Sequence, residues 1–271
     1  MLTVATVNVN GIRAAAKRGI AEWVDEVRPD ILALQEVRAT EPQMEKAFTA
    51  PGTTHLHPSR LAGRSGVAVI SRLPHTAVRT GLSAQEPDVD TGRWLEVDLE
   101  VPGLDVPLTV VSAYLHSGTV GTEKMDFKYA HLARVSERLA TLRDDVRSGR
   151  REILVMGDFN IVHTERDIKN WKPNYNKTAG VLQDEIDYLD RWFGELGFVD
   201  VHRALAGEVQ GPYTWWSWRG KAFDNDAGWR IDYQMASPRL ADAARTAEVG
   251  RAPSYAERFS DHAPLVIGYE L

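Results

Sequence analysis

One segment constrains the fold more than any other: residues 151–160 read R-E-I-L-V-M-G-D-F-N. Its four consecutive apolar residues, Ile153 to Met156, are enough for a buried strand and too few for a helix. Gly157 ends the run, and Asp158 and Asn160 follow it. These two are two positions apart, so an extended chain places them on the same side. The sequence therefore predicts a buried strand that leads into either a plain turn or one wall of an active site.

The same pattern of a short strand with polar residues at its end recurs along the chain. Residues 2–10 predict a strand that contains Asn8 and ends at Asn10, and residues 31–36 predict one that ends in Glu36. Asn10 precedes a glycine, which is equally typical of a plain turn. Asparagine is disfavoured inside strands, so Asn8 favours a functional interpretation. The other polar residues near predicted strand ends are Tyr114, His116, Asp232, Asp261 and His262.

Helical spacing separates these strands. Apolar residues at every third or fourth position predict amphipathic helices over residues 20–27, 125–146 and 182–196, and the lysines and arginines of the second helix are expected on its outer face. Residues 93–101 alternate strictly, which predicts a half-exposed antiparallel strand whose acidic side faces solvent. The succession of strands and helices predicts an α/β fold. No linker divides the chain, so residues 1–271 are expected to form one domain.

Composition excludes several classes of protein. The chain has 271 residues, of which 43% are hydrophobic and 26% charged, as in ordinary globular proteins. No apolar run reaches the length of a membrane span, and no secretory signal is visible. The absence of cysteine excludes disulfides and thiolate metal sites, and it fits a cytoplasmic protein. The net charge of −6 argues against simple electrostatic capture of nucleic acid, but not against a metal-filled acidic site with a basic rim.

The polar strand ends have the composition of a hydrolytic metal site. They offer many hard oxygen donors and one well-placed histidine, a set that selects Mg²⁺ or Mn²⁺ over zinc. A divalent ion and a general base are the usual equipment for cleaving a phosphate ester. His262 is the natural base because the ordinary pKa of histidine is near neutrality. Asp232 is the candidate that orients its ring.

Two further segments suit contact with nucleic acid. Arg13, Lys17 and Arg18 form a basic cluster in the predicted loop after the first strand, which is either solvated surface or a phosphate contact. Aromatic residues crowd into residues 213–229. Core packing must account for some of them, but tryptophans beside a polar loop also suit stacking on bases or sugars.

Five motifs occur in an order that is highly specific. They are N-V-N-G-I-R (8–13), L-Q-E (34–36), G-D-F-N (157–160), W-R-I-D-Y (229–233) and S-D-H-A-P (260–264). In this order the chain resembles the exonuclease III family of abasic-site endonucleases, within the DNase I-like endonuclease/exonuclease/phosphatase superfamily. The resemblance implies a four-layer sandwich of two packed mixed β-sheets flanked by helices. It also implies a Mg²⁺-dependent enzyme that hydrolyses double-stranded DNA 5′ to abasic sites and from 3′ ends, with 3′-phosphatase activity. Nothing in the sequence requires more than a monomer.

The resemblance further implies a role for each matching residue. Residues implied to act at the metal are Glu36 as the main ligand, with Asn8 and Asp261 near it. Residues implied to act on the phosphate are His262 paired with Asp232, Asn160 and Tyr114 as phosphate contacts, and Asp158. The last of these positions or deprotonates the attacking water, or protonates the leaving group. Residues implied to contact DNA are Asn10, Arg13, Lys17 and Arg18, and the two tryptophans that would embrace a flipped-out abasic sugar, Trp215 and Trp229.

One departure from the family pattern leaves the balance of activities open. The family places proline and then asparagine or glutamine after its tyrosine, whereas this chain has Tyr114-Leu115-His116-Ser117-Gly118. The substrate-binding amide is thus replaced by either Ser117 or His116.

Two rival interpretations are a phosphatase of the same fold that acts on phospholipid head groups or inositol phosphates, and a DNA-binding module without catalysis. The basic cluster and the tryptophans argue against the first. The presence of every expected ligand, together with the negative net charge, argues against the second.

Overall fold

Twelve strands form two six-stranded sheets in the computed structural model, which describes residues 1–271. Across the first sheet the order is β11 (Ala244–Val249), β12 (Leu265–Tyr269), β1 (Leu2–Asn8), β2 (Ile31–Gln35), β4 (Val67–Ser71) and β3 (Thr53–His57). Across the second sheet the order is β5 (His75–Thr80), β6 (Trp94–Leu99), β7 (Leu108–Tyr114), β8 (Glu152–Asp158), β10 (Asp232–Ala236) and β9 (Val199–Asp200). Each sheet contains one parallel pair, β1 with β2 and β7 with β8, so both are mixed.

Eight α-helices flank the two sheets. They are α1 (Ile12–Ala16), α2 (Ile20–Val27), α3 (Glu41–Ala47), α4 (Glu123–Arg147), α5 (Trp171–Asn174), α6 (Gln183–Asp190), α7 (Val201–Ala206) and α8 (Pro238–Asp242). The three predicted amphipathic helices are confirmed as α2, α4 and α6, and a wider helical turn over Arg191–Glu195 extends the last of them. None of the helices combines the length and apolar character that crossing a membrane requires.

Three apolar clusters define the layers. The largest, of 21 buried residues, fills the space between the sheets and includes Val4 and Ala33 of the first sheet and Val97 and Met156 of the second. A cluster of 19 packs α4 and α6 on the outer face of the second sheet, and a cluster of 15 packs α1 to α3 on the outer face of the first. The predicted four-layer sandwich of two mixed sheets is therefore confirmed.

The alternating strand at residues 93–101 is antiparallel, as predicted, but of the acids on its acidic side only Glu100 is exposed to solvent. Glu96 is 1% exposed and Asp98 is 7% exposed. Arg138 of α4 lies 2.6 Å from Glu96, while Arg79 of β5 and Arg151 lie 2.6 and 3.1 Å from Asp98. Arginines from three separate elements therefore cover this face, and strand alternation alone does not reveal such distant partners.

Two buried histidines, His131 and His202, make the free energy of unfolding depend on pH. Neither ring nitrogen of His131 has a hydrogen-bond partner, and Nδ1 of His202 also lacks one. Burial, followed by the Arg230 guanidinium, lowers the pKa of His202 to about 4 even though Asp200 acts in the opposite direction. The folded protein therefore keeps this ring neutral where the unfolded chain would protonate it.

We expect the free energy of unfolding to fall as the pH drops from about 6.5 towards 4. In this range His202 is protonated in the unfolded chain but not in the folded protein. For His202 the loss in unfolding free energy between pH 7 and pH 5 is about 2 kcal/mol. Urea unfolding at both pH values measures it. His202→Gln should reduce the difference, whereas His75→Gln, at an exposed position, should not. An equal pH effect in the parent and the His202 variant would contradict the assignment.

Candidate active site

Strand direction brings the predicted polar residues to one edge of the sandwich. Because β1 and β2 are parallel, Asn8 aligns with Gln35 and both strands end at the same edge. In the second sheet β7 and β8 are parallel, with Tyr114 beside Asp158. Strand β10 runs antiparallel to β8, so its first residue, Asp232, also lies beside Asp158. The carboxyl ends of four strands and the amino end of a fifth thus share one site.

Three of the polar residues occupy left-handed turns directly after their strands. The φ angles of Asn10, Glu36 and Asn160 are +46°, +50° and +53°. Asparagine tolerates this region, whereas glutamate rarely adopts it. Gly157 has a φ of +139°, and a Cβ there would lie 2.0 Å from the Ala113 carbonyl oxygen. The glycine of the G-D-F-N motif lies within β8 and is therefore needed for its close packing against β7, not for a turn.

Asn8 connects the two sheets. Its Nδ2 donates to Glu36 Oε1 at 3.1 Å and to Asp158 Oδ2 at 2.8 Å, and all three side chains are buried. Its Oδ1 accepts from the backbone N–H of Asn10 at 3.0 Å. The Asn8 nitrogen, not the oxygen, therefore faces the two carboxylates, and it holds them at one place.

His262 is held against two aspartates. Its Nδ1 lies 2.9 Å from Asp232 Oδ2, and its Nε2 lies 3.7 Å from Asp158 Oδ2. Thr214 Oγ1 donates to Asp232 Oδ2 at 2.6 Å, which fixes that carboxylate. The predicted pairing of Asp232 with His262 is present, with Asp158 on the opposite side of the ring.

The pKa values of Asp158 and His262 are both raised, for different physical reasons. Burial raises the pKa of Asp158, the nearby Asp232 adds to this, and the result is about 7 although His262 opposes it. Burial lowers the pKa of His262, but the carboxylates of Asp232 and Asp158 outweigh it and raise the pKa to about 10. At neutral pH the ring is therefore an imidazolium, which is not the free base that its ordinary pKa predicts.

Asn160 and Tyr114 lie on the second-sheet side of the same opening. Asn160 Nδ2 donates to the Leu115 carbonyl at 2.9 Å and to Asp158 Oδ2 at 3.2 Å. The Arg93 guanidinium lies over the Tyr114 ring, 4.7 Å from its centroid. Burial and the charge of Glu36 raise the pKa of the Tyr114 hydroxyl well above its ordinary value, so it stays a hydrogen-bond donor.

Asp261 and the two predicted tryptophans complete a cavity of about 650 Å³. Asp261 accepts from Asn10 Nδ2 at 2.8 Å and from Trp215 Nε1 at 3.1 Å. Trp215 and Trp229 exchange backbone hydrogen bonds of 2.9 Å, and their half-buried rings meet edge to face at 5.5 Å. Other residues of the cavity wall are Glu36, Tyr114, Ser117, Asp158, Asn160 and His262.

The remaining aromatic residues of 213–229 separate into core and rim. Tyr213, Trp216 and Phe223 are buried in a small cluster of their own. Trp218 is half-buried, with the guanidinium groups of Arg18 and Arg258 over its ring at 5.5 and 4.2 Å. Core packing is therefore confirmed for Tyr213, Trp216 and Phe223, whereas stacking on bases or sugars stays a prediction for the half-buried tryptophans.

The basic cluster of Arg13, Lys17 and Arg18 is exposed to solvent. Arg13 belongs to α1, so the predicted loop is wrong at this residue, and Lys17 and Arg18 follow the helix. Arg18 lines a second cavity, of about 560 Å³, together with Trp218, Tyr255 and Asn10. Arg13 and Lys17 face solvent outside both cavities.

Comparison with known proteins agrees with this geometry. The sequence model of the Endonuclease/Exonuclease/phosphatase family matches residues 5–262. The chain belongs to that family. It is 30% identical to the exodeoxyribonuclease of Bacillus subtilis (strain 168) over 261 residues, which cover 95% of each protein.

Two solved structures extend the family comparison over 100% of each chain. An AP endonuclease from Archaeoglobus fulgidus is similar with a TM-score of 0.83 at 27% identity. The 3′-5′ exonuclease NExo of Neisseria meningitidis is similar with a TM-score of 0.82 at 25% identity. The DNase I-like fold of the family is thereby shown for this chain.

The donor set of the family site fits a hard divalent cation. Ligand atoms of Asp158, Asp232 and His262 lie within 4.8 Å of one another, and Glu36 and Asp261 face the same cavity. Carboxylate oxygens predominate and sulfur is absent, which suits an oxygen-seeking ion. Burial raises the pKa of Asp158 to about 7, and a cation beside this carboxyl would favour its charged form.

Some residues of the site were not identified from the sequence. Arg38 forms an ion pair with Glu36, Arg93 covers Tyr114, and Thr214 holds Asp232. Only Arg38 gave a signal, since it follows the L-Q-E motif by two positions. At the departure from the family pattern Ser117 lines the cavity, whereas the His116 ring turns away, with Nε2 2.7 Å from Asp90 Oδ1.

We expect His262 to remain protonated through neutral pH in the metal-free protein, because Asp232 and Asp158 hold its pKa at about 10. Histidine side-chain NMR during a pH titration measures this. Asp232→Asn should lower the pKa of His262 by at least about one unit, since it removes the closest negative charge. Glu41→Gln, at an exposed position on α3, is the control. Titration of His262 near 6.5 in the parent would refute the charge arrangement.

Proposed function

We propose that this chain is a DNA repair nuclease that hydrolyses phosphodiesters of double-stranded DNA, by cutting 5′ to abasic sites and by removing nucleotides or phosphate from 3′ ends. The observation that carries the proposal is a single cavity lined by Glu36, Asp158, His262 and two tryptophans, in which the buried Asp232 is paired with His262. The relatives supply the substrate class, because they are named as an exodeoxyribonuclease, an AP endonuclease and a 3′-5′ exonuclease.

Glu36 is the proposed main ligand of a Mg²⁺ ion, and Asp261 and Asn8 support it. Mn²⁺ suits the same oxygen donors. When bound, the ion would offset the negative charge that develops on the phosphoryl oxygens. The contacts of Glu36 with Asn8 and Arg38 prearrange its carboxylate and hold it at the cavity wall.

Asp158 is the proposed acceptor of the proton from the attacking water. Its raised pKa makes it a better base than an ordinary aspartate, and Asn8 and Asn160 orient its oxygens. His262 is charged and is oriented by Asp232. As a cation it stabilises the phosphate, and it can donate its proton to the 3′ oxygen that leaves the phosphorus. This proposal replaces the role of His262 as the free base, because its raised pKa opposes that role.

Asn160 and Tyr114 are the proposed contacts of the scissile phosphate. The amide group and the hydroxyl group face the cavity from neighbouring strand ends. The cavity wall formed by Trp215 and Trp229 would receive a sugar turned out of the duplex, and the cost of turning it out is lowest where the base is missing. Arg13, Lys17, Arg18 and Asn10 would contact the flanking backbone.

The chain is proposed to act as one catalytic domain over residues 1–271, since both sheets contribute to the site. We further propose that it works as a monomer, because all of the proposed catalytic groups lie on one chain. Similarity to a bacterial exodeoxyribonuclease supports a cytoplasmic location.

The first test is cleavage of an end-labelled duplex with one abasic-site analogue. We expect a single cut at the lesion with Mg²⁺, none with EDTA, and laddering from the 3′ end if exonuclease activity is strong. Glu36→Ala should lower turnover by at least about 1,000-fold, because removing preorganised charge stabilisation has effects of this size. Glu41→Ala, on exposed α3, should match the parent.

Two outcomes would contradict the proposal. If neither duplex is cut with any divalent ion, phosphorylated lipids or small molecules become the next substrates to test. If the Glu36 variant and the parent behave alike in binding and neither cleaves, the chain is a binding module.

Trp229→Ala should weaken cleavage at the abasic site about tenfold more than exonuclease activity, since a stacking contact contributes about 1–3 kcal/mol. The physical reason is that only the lesion places an unstacked sugar against this ring. The ratio of the two rates, measured with one enzyme preparation, reports the difference. Trp23→Ala, on the outer helix α2, controls for loss of a half-buried tryptophan. Equal losses in both activities would assign Trp229 to packing alone.

A further inference from the structure

A lysine and a glutamate form an ion pair that is completely buried beside the active site. Lys128 of α4 and Glu185 of α6 both have 0% side-chain exposure, and Nζ lies 2.5 Å from Oε1. The expectation that the lysines of α4 lie on its outer face is therefore wrong for Lys128. Burying two charges costs more than their attraction returns unless further hydrogen bonds satisfy them. The hydrogen bonds that surround the pair therefore show which segments of the chain it connects.

The Lys128 ammonium contacts two loops of the site. It donates to the Asn160 carbonyl oxygen at 3.0 Å and to the Ser117 carbonyl oxygen at 3.3 Å. Together with the ion pair to Glu185, the ammonium therefore has three oxygens close to it. Asn160 follows β8, and Ser117 follows β7. One side chain thus ties together the two segments that carry the proposed phosphate contacts.

Gly118 shows how closely one of these loops approaches Lys128. A Cβ at Gly118 would lie 3.2 Å from Lys128 Cδ and 2.5 Å from Met125 Sδ. The loop backbone therefore rests directly on the aliphatic part of the lysine.

Glu185 extends the connection to a third segment. Its Oε2 accepts from the backbone N–H of Gly180 at 2.6 Å and of Leu182 at 3.1 Å. A Cβ at Gly180 would lie 2.8 Å from the Asn160 carbonyl oxygen and 3.2 Å from Trp229 Cζ3. The backbone at Gly180 is therefore wedged between Asn160 and the tryptophan of the cavity wall.

We propose that Lys128, supported by Glu185, is a positioning residue that holds the Ser117, Asn160 and Gly180 segments in register around the phosphate site. The inference rests on the proposed function and adds a residue that does not touch the substrate. Asn160 depends most on it, because its left-handed backbone is bonded on one side to Lys128 and its side chain on the other to Asp158. Misplacement of such a group by about 1 Å costs about 100-fold in rate.

The test separates positioning from plain stabilisation by comparing a single and a double variant. Lys128→Met leaves the Glu185 carboxylate buried and unpaired, so both stability and turnover should fall. Lys128→Met/Glu185→Gln removes that charge and keeps an oxygen for the Gly180 and Leu182 N–H groups, so stability should recover. We expect kcat to remain about 100-fold below the parent in the double variant with KM changed less than threefold.

Recovery of kcat together with stability would overturn the proposal, because the pair would then serve only the fold. Arg138→Met, which removes an ion pair from the same helix away from the cavity, is the matched control and should lower the melting temperature without changing kcat. All assays are run well below the lowest melting temperature.

Amide hydrogen exchange provides a readout without substrate. In the double variant, exchange of the Gly180 and Val162 amides should accelerate at least tenfold, because residue 185 keeps its bonds to the Gly180 segment but loses the Lys128 link to Asn160 and Ser117, and the Gly180 carbonyl accepts from Val162. Unchanged exchange would also overturn the proposal. If the parent cleaves no DNA, the proposed function fails, whereas the exchange result still decides whether Lys128 positions these segments.

Discussion

A hydrogen bond between residues 150 positions apart is the contact on which the rest of the site depends. Asn8 of the first sheet donates to Asp158 of the second, and the same amide group donates to Glu36. This contact requires the two sheets to pack with the ends of their parallel strand pairs at matching heights. The apolar core between the sheets supplies the energy for that packing, but apolar contact is not directional. The hydrogen bonds between the buried amide and carboxylates are directional, so a sliding shift would leave these groups unpaired.

The treatment of buried charge distinguishes the scaffold from the site. In the scaffold, Asp167 contacts Arg230 and Arg203 at 2.6 Å, and these guanidinium groups keep the pKa of its carboxyl low despite burial. In the site, Asp158 is buried beside two other acids and one histidine, and its pKa is raised. An aspartate that supports the fold is thus ion-paired and has a lowered pKa, whereas the aspartate of the proposed catalytic site has a raised pKa. Such raised values are typical of functional sites.

The sequence predicts the site well where the signal is local and poorly where the partner is distant. A short apolar run followed by a polar turn can be read at Glu36 and at Asp158, and strand direction then brings these ends together. The arginines that cover Glu96 and Asp98 come from other elements, so alternation wrongly placed those acids in solvent. Lys128 lies three residues after Met125 and four before Leu132, so its spacing matches the apolar face of α4. Its charge alone assigned it to the outside, because the buried partner Glu185 is distant in the sequence.

The left-handed backbone at Glu36 has a consequence for how this protein can change. A glutamate in that conformation carries strain of order 1 kcal/mol or more, which glycine or asparagine would relieve. Engineering that ranks substitutions by folding stability alone will therefore favour replacing the residue proposed to hold the metal. Mutational drift without selection for activity has the same bias. At this turn, folding stability favours glycine or asparagine, whereas the proposed hydrolysis requires glutamate. The chain carries the residue that serves hydrolysis.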